Sequence, residues 1–118
     1  MECAFCKIYN QKLPAKIIYQ NNILSCFLPR NMEVYGHLLV IPNKHFENIF
    51  DIPEEELTHI IKFTKKISLH LKECLGATGI NILHASGKSA QQSVPHFHIH
   101  IFPRFDNDSL DTWPKLEK

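Results

Sequence analysis

The sequence predicts an α+β fold built on an antiparallel sheet. Two observations carry that prediction. Short apolar runs of strand length, broken by turn residues, occupy residues 16–41 and 80–102, and one long segment with helical periodicity, 51–76, lies between them. A helix set between groups of strands has one face of their sheet to cover. At 118 residues the chain suits one domain, 1–118, and is too short for two.

Lys16 to Tyr19 and Ile23 to Leu28 read as strands joined by a turn at Gln20-Asn21-Asn22, where asparagine tolerates the positive φ of tight hairpins. His37 to Ile41 is almost continuously apolar and ends at Pro42, as a buried strand does. For the helix, Asp51 and Glu54 have the spacing of a capping box, Pro53 sits near the first turn and Gly76 is placed to end it. Leu57, Ile60, Ile61, Thr64, Ile67, Leu71 and Leu75 form a stripe that should lie on the sheet, with His59 and His70 beside it at the surface. Ile80 to His84 reads as a strand, Ala85 to Ser93 as a polar loop, and Val94 to Phe102 as the last strand.

Composition narrows the function classes. Thirteen basic and twelve acidic residues leave a net charge of +1, which argues against a nucleic-acid footprint or a membrane-binding face. No apolar run reaches the roughly 20 residues needed to span a bilayer, so a soluble, cytoplasmic protein is expected. Cys26 and Cys74 fall where packed free thiols are commonplace.

The last strand carries the chemistry. In His96-Phe97-His98-Ile99-His100-Ile101-Phe102 the side-chain period of two sends three imidazoles to one face and Phe97, Ile99 and Ile101 to the other. Such a row can chelate a metal, or it can divide group transfer among a nucleophile, a proton carrier and an orienting group. A metal has other candidate donors as well. Cys3 and Cys6 form a C-x-x-C pair and His45 follows Pro42-Asn43-Lys44, so one edge histidine of the row would complete a closed Cys2His2 tetrahedron. C-x-x-C is also a redox motif near helix starts, and both readings stand on spacing alone.

These segments together resemble the histidine triad (HIT) family over nearly the whole chain, from Cys3-Ala4-Phe5-Cys6-Lys7 through Gly36-His37-Leu38-Leu39-Val40-Ile41-Pro42 to the triad and Pro103-Arg104. The chain looks most like the small bacterial branch that carries the zinc pair. The resemblance implies a HIT-like fold of about five antiparallel strands with one long and one short helix. It also implies homodimers that share one continuous sheet, and attack of the middle triad histidine on the α-phosphorus of a nucleotide derivative.

Carried over by position, His98 is the nucleophile, His100 a donor to the phosphate and His37 a further histidine beside it. Ser93 and Gln92 match the polar loop positions that contact the bridging oxygen or leaving group. His96 is assigned to structural Zn2+ with Cys3, Cys6 and His45, and to catalytic support second. Where many relatives hold the ribose hydroxyls with an acidic residue or asparagine, this chain has Pro29 followed by Arg30; Arg30 and His84 are the candidates to compensate. Trp113-Pro114 resembles the tail that in some members reaches an active site. The expected substrate is a purine nucleoside phosphoramidate or dinucleoside polyphosphate. A nucleotide-binding regulatory protein with little turnover is the alternative.

Overall fold

The computed structural model describes residues 3–32 and 34–111; Trp113 and Pro114 lie outside them. In chain order the elements are α1 (Ala4–Tyr9), β1 (Lys16–Gln20), β2 (Leu24–Leu28), β3 (Leu38–Pro42), α2 (Glu54–Leu75), β4 (Gly79–Leu83), a single 3-10 turn (Lys88–Ala90) and β5 (Ile99–Arg104). All five strands join one antiparallel sheet in the order β1-β2-β3-β5-β4. The architecture is the α+β arrangement that the sequence predicts, with one long and one short helix.

The sheet is covered on both faces, and this explains why β3 reads as an unbroken apolar run. Leu38 and Val40 point with Leu24, Cys26, Phe97, Ile99 and Ile101 toward Ile60 and Leu71 of α2. Leu39 and Ile41 point the other way with Phe27, against Cys3 and Phe5 of the N-terminal segment. A strand flanked by two apolar layers needs no polar alternation. Each large side chain so buried contributes about 1.5–3 kcal/mol.

Local structure departs from expectation at several points. The β1–β2 turn uses no positive φ; the Asn21 carboxamide oxygen accepts from the backbone N–H of Ile23 (2.8 Å) and Leu24 (2.9 Å), so an Asx turn replaces the left-handed one. Asp51 is not a helix cap. Its carboxylate accepts from the N–H groups of Glu47 and Asn48 and closes the turn before Pro53, the true N-cap. Gly76, at φ +77°, does end α2 in the left-handed conformation.

The buried stripe of α2 is narrower than its periodicity suggests. Ile61 is 51% exposed and Leu75 36%. With Leu69, Ile80 and Ile82, Ile61 lines an open groove of about 500 Å³ between α2 and the edge strand β4. Cys74 is exposed rather than packed, beside His70, whereas Cys26 is fully buried and its thiol is pushed up to about 12 by that burial.

The C-terminal strand is the largest difference. It spans Ile99–Arg104, not residues 94–102. Pro95 has no N–H to give a ladder, and the His96 N–H turns back onto the Val94 carbonyl at 2.8 Å. The side-chain alternation survives because Phe97, Ile99 and Ile101 remain anchored in the core.

Candidate active site and metal centre

The three histidines emerge on the face opposite α2, where α1 meets the sheet. Phe5 of α1 holds two of them edge-on, with ring centroids 5.9 Å from His96 and 5.1 Å from His98. Phe5 stood unremarked in the sequence, an aromatic between two cysteines. Its role depends on a contact across more than 90 residues of chain.

His96 is completely buried, and its two nitrogens have separate duties. Nε2 donates to the Pro42 carbonyl at 2.8 Å, which leaves Nδ1 unprotonated and turned toward the cysteines. Burial holds its pKa down at about 4, so the ring is neutral and able to ligate at pH 7. His96 Nδ1 lies 3.4 Å from Cys3 Sγ and 3.5 Å from Cys6 Sγ; His45 Nδ1 lies 3.6 Å and 3.2 Å from the same sulfurs. A tetrahedral zinc with bonds of about 2.3 Å to sulfur and about 2.05 Å to nitrogen sets each S···N edge at about 3.6 Å. The four donors are thus arranged at tetrahedral edge lengths and could hold a metal ion. Burial, followed by the neighbouring Cys3, pushes the Cys6 thiol up, so Cys6 is held as a thiolate here only with a cation beside it.

His98 is arranged differently. Its Nδ1 donates to the His96 carbonyl at 2.8 Å, which leaves Nε2 as the lone-pair nitrogen, with no hydrogen-bond partner among the described residues, and burial lowers its pKa. His100, on β5, has Nδ1 at 2.9 Å from Nε2 of His37, and its pKa is driven to about 4 by burial and then by the surrounding histidines. His37 stacks on Phe102 at 4.2 Å. The glycine before it has a geometric cause. Gly36 sits at φ +84°, and a Cβ there would come within 3.0 Å of Leu75 and Pro103 side chains.

A second layer orders the segment around His98. His84, just after β4, donates from Nδ1 to the His98 carbonyl at 2.8 Å and packs at a tilt of 31° against Phe97, ring centroids 4.4 Å apart. Its Nε2 accepts from the Ser86 hydroxyl, and Ser86 Oγ accepts from the Ile49 N–H. His84 therefore faces the backbone of the triad. No sequence pattern announces this contact.

Gln92 is engaged inside its own loop. Its Oε1 accepts from the Gly87 N–H at 2.7 Å, and Nε2 donates to the carbonyls of Glu47 (2.6 Å) and Val94 (2.9 Å). The carboxamide pins the loop to the segment that carries His45. Ser93 is exposed on the same loop. Pro29 and Arg30 sit elsewhere, in the wall of a hollow of about 670 Å³ formed by α1, the start of β1 and the end of β2. Phe5 and Leu39 also line it; Phe5 touches His98 and Leu39 pairs with His100, so the hollow adjoins the triad.

Fold and site define a small α+β protein in which a cluster of neutral histidines stands beside a closed set of metal donors. The chain belongs to the HIT family: the HIT domain model matches residues 10–107. It is 43% identical over 106 residues to a HIT-like protein of Methanocaldococcus jannaschii, covering 90% of this chain and 81% of that one. It is 32% identical over 117 residues to the adenosine 5′-monophosphoramidase of Saccharomyces cerevisiae, covering 98% and 72%. A Zn-bound histidine triad family protein from Mycobacterium smegmatis superposes with a TM-score of 0.90 at 33% identity, covering 99% of this chain and 85% of that one.

Proposed function

We propose that this protein is a nucleotide hydrolase or nucleotidyltransferase that works through a covalent intermediate on His98. The observation that carries the proposal is the orientation of that ring: with Nδ1–H held on the His96 carbonyl, the buried neutral imidazole keeps Nε2 as a nucleophilic lone pair. Attack on the α-phosphorus of a purine nucleoside phosphoramidate or dinucleoside polyphosphate forms a P–N bond to Nε2 and breaks the bond to the leaving group, which takes up a proton. Water then cleaves the P–N bond, releases the nucleoside monophosphate and restores His98. In the tautomer where His37 donates to His100, the Nε2–H of His100 is free for a non-bridging phosphate oxygen. Ser93 lies on the loop facing the leaving group, Gln92 keeps that loop in shape, and the hollow lined by Pro29 and Arg30 takes the base.

Cys3, Cys6, His45 and His96 would hold a structural zinc, supplying folding energy and fixing the segment that precedes His98. A reducing, cytoplasmic compartment suits such thiolate ligands, and cell fractionation would check it. The apolar α2–β4 groove, beside the strand that ends the sheet among the described residues, favours a homodimer that continues the sheet through β4. Sedimentation should give a dimer that Ile82→Glu reduces to monomers; a monomeric wild type excludes it.

The deciding experiment is hydrolysis of adenosine 5′-phosphoramidate and diadenosine polyphosphates by wild type and His98→Ala. Loss of the nucleophile should lower kcat by about 10³-fold or more. Equal rates, or no turnover by the wild type, would reject the hydrolase in favour of a nucleotide-binding protein.

A further inference from the structure

The hollow beside His98 has an unusual lining for a nucleotide pocket. Among the described residues, no side chain on its wall carries an oxygen atom. Phe5, Ile8, Phe27, Leu39 and Met32 supply an apolar surface, and the charged side chains on the wall, Lys16 and Arg30, donate hydrogen bonds and accept none. Where the wall turns at the end of β2, Pro29 contributes neither an acceptor side chain nor a backbone N–H. Part of the adjoining backbone is committed to the sheet: Phe27 pairs with Ile17 on one side and Leu39 on the other, and Leu28 pairs with Lys16.

A ribose hydroxyl both donates and accepts; Lys16 and Arg30 could serve only its lone pairs, and its O–H still asks for an acceptor. A site that reads such hydroxyls places a carboxylate or carboxamide opposite them, and loss of one charge-assisted bond of this kind changes affinity by roughly 10- to 100-fold. This wall holds nothing of that type. Resting on the nucleotide reading above, we infer that the pocket selects its ligand by apolar burial of the base and leaves the 2′- and 3′-hydroxyls unread. Pro29 is the specificity-determining position, and 2′-deoxy- and 2′,3′-dideoxynucleotides are substrates equivalent to ribonucleotides. A pocket of this kind is open to nucleotides substituted on the sugar, which a diol-reading pocket rejects.

The test uses the full chain loaded with zinc. Calorimetry with AMP, dAMP and 2′,3′-dideoxy-AMP, and kcat/KM for the three matching 5′-phosphoramidates, should agree within about threefold across the series for wild type. Pro29→Asp should introduce a preference for the ribonucleotide of about tenfold or more. A wild-type preference for ribose of tenfold or more overturns the inference, and that ratio alone decides if the variant fails to fold. Equal binding without hydrolysis would reject the hydrolase reading and leave this inference standing. Failure of all three nucleotides to bind folded protein at millimolar concentration rejects the pocket assignment and the inference with it.

Discussion

Replacing Cys3 by alanine separates the two jobs of the histidine row. The thiol lies 3.4 Å from His96 Nδ1 and 3.6 Å from His45 Nδ1, so its loss opens one corner of the tetrahedron while leaving His98 untouched. A structural metal held at a thousand times its dissociation constant stabilises the native state by about 4 kcal/mol. With the metal gone, α1 is held mainly by Phe5, whose burial is worth about 1.5–3 kcal/mol. Against a whole-domain stability of about 5–15 kcal/mol the variant should still fold. At about 3–5 °C per kcal/mol for a chain of this size, Tm should drop by about 12–20 °C. The assay is metal content by mass spectrometry after gel filtration, together with calorimetry, on wild type, Cys3→Ala, His96→Ala and His98→Ala. Wild type and His98→Ala should carry one zinc per chain, and the other two should carry none. Metal lost from His98→Ala but kept by Cys3→Ala would refute the reasoning, because it would mean that the triad itself chelates.

Two further outcomes follow from the same geometry. His84→Ala removes the donor on the His98 carbonyl, and should lower kcat about tenfold with KM unchanged and a stability loss of only about 0.5–1.5 kcal/mol; an unchanged kcat would show that the contact is incidental. For pH, burial lowers the pKa of His98 and drives that of His100 to about 4, so both rings stay neutral as pH falls below 6.5. The kcat/KM profile should therefore be flat from pH 8 to below 6.5 and fall only well below it, whereas stability already declines as pH drops from about 6.5 toward the His100 value of about 4, because the unfolded chain takes up protons there that the folded rings refuse. An acid limb centred at 6.5 or higher contradicts the burial argument.

Much of this protein was legible before folding. Period-two alternation in residues 96–102 separates Phe97, Ile99 and Ile101 from the histidines whatever the backbone does, because core burial of the apolar set holds the pattern even where Pro95 removes the strand. The C-x-x-C pair and His45 stand out by residue type, since thiols and imidazoles are scarce enough for their spacing to carry meaning. The stripe of α2 was legible in register but not in width: periodicity reports which residues share a face, and only the position of β4 at the sheet edge leaves Ile61 uncovered.

By itself, the sequence determined the order of the strands around one long helix and singled out Cys3, Cys6 and His45 as donors, since these depend on local periodicity and residue chemistry; the short helix and His96 as the fourth donor came from the family resemblance. Tertiary structure alone decided which nitrogen of each histidine is free. That choice rests on carbonyls of Pro42 and His96 whose positions follow from chain turns that no spacing encodes. It also decided that His84 supports the triad backbone, that Gln92 faces its own loop, and that Pro29 meets Phe5 across one apolar hollow. Each of these joins residues distant in the chain, and packing against the sheet brings them together.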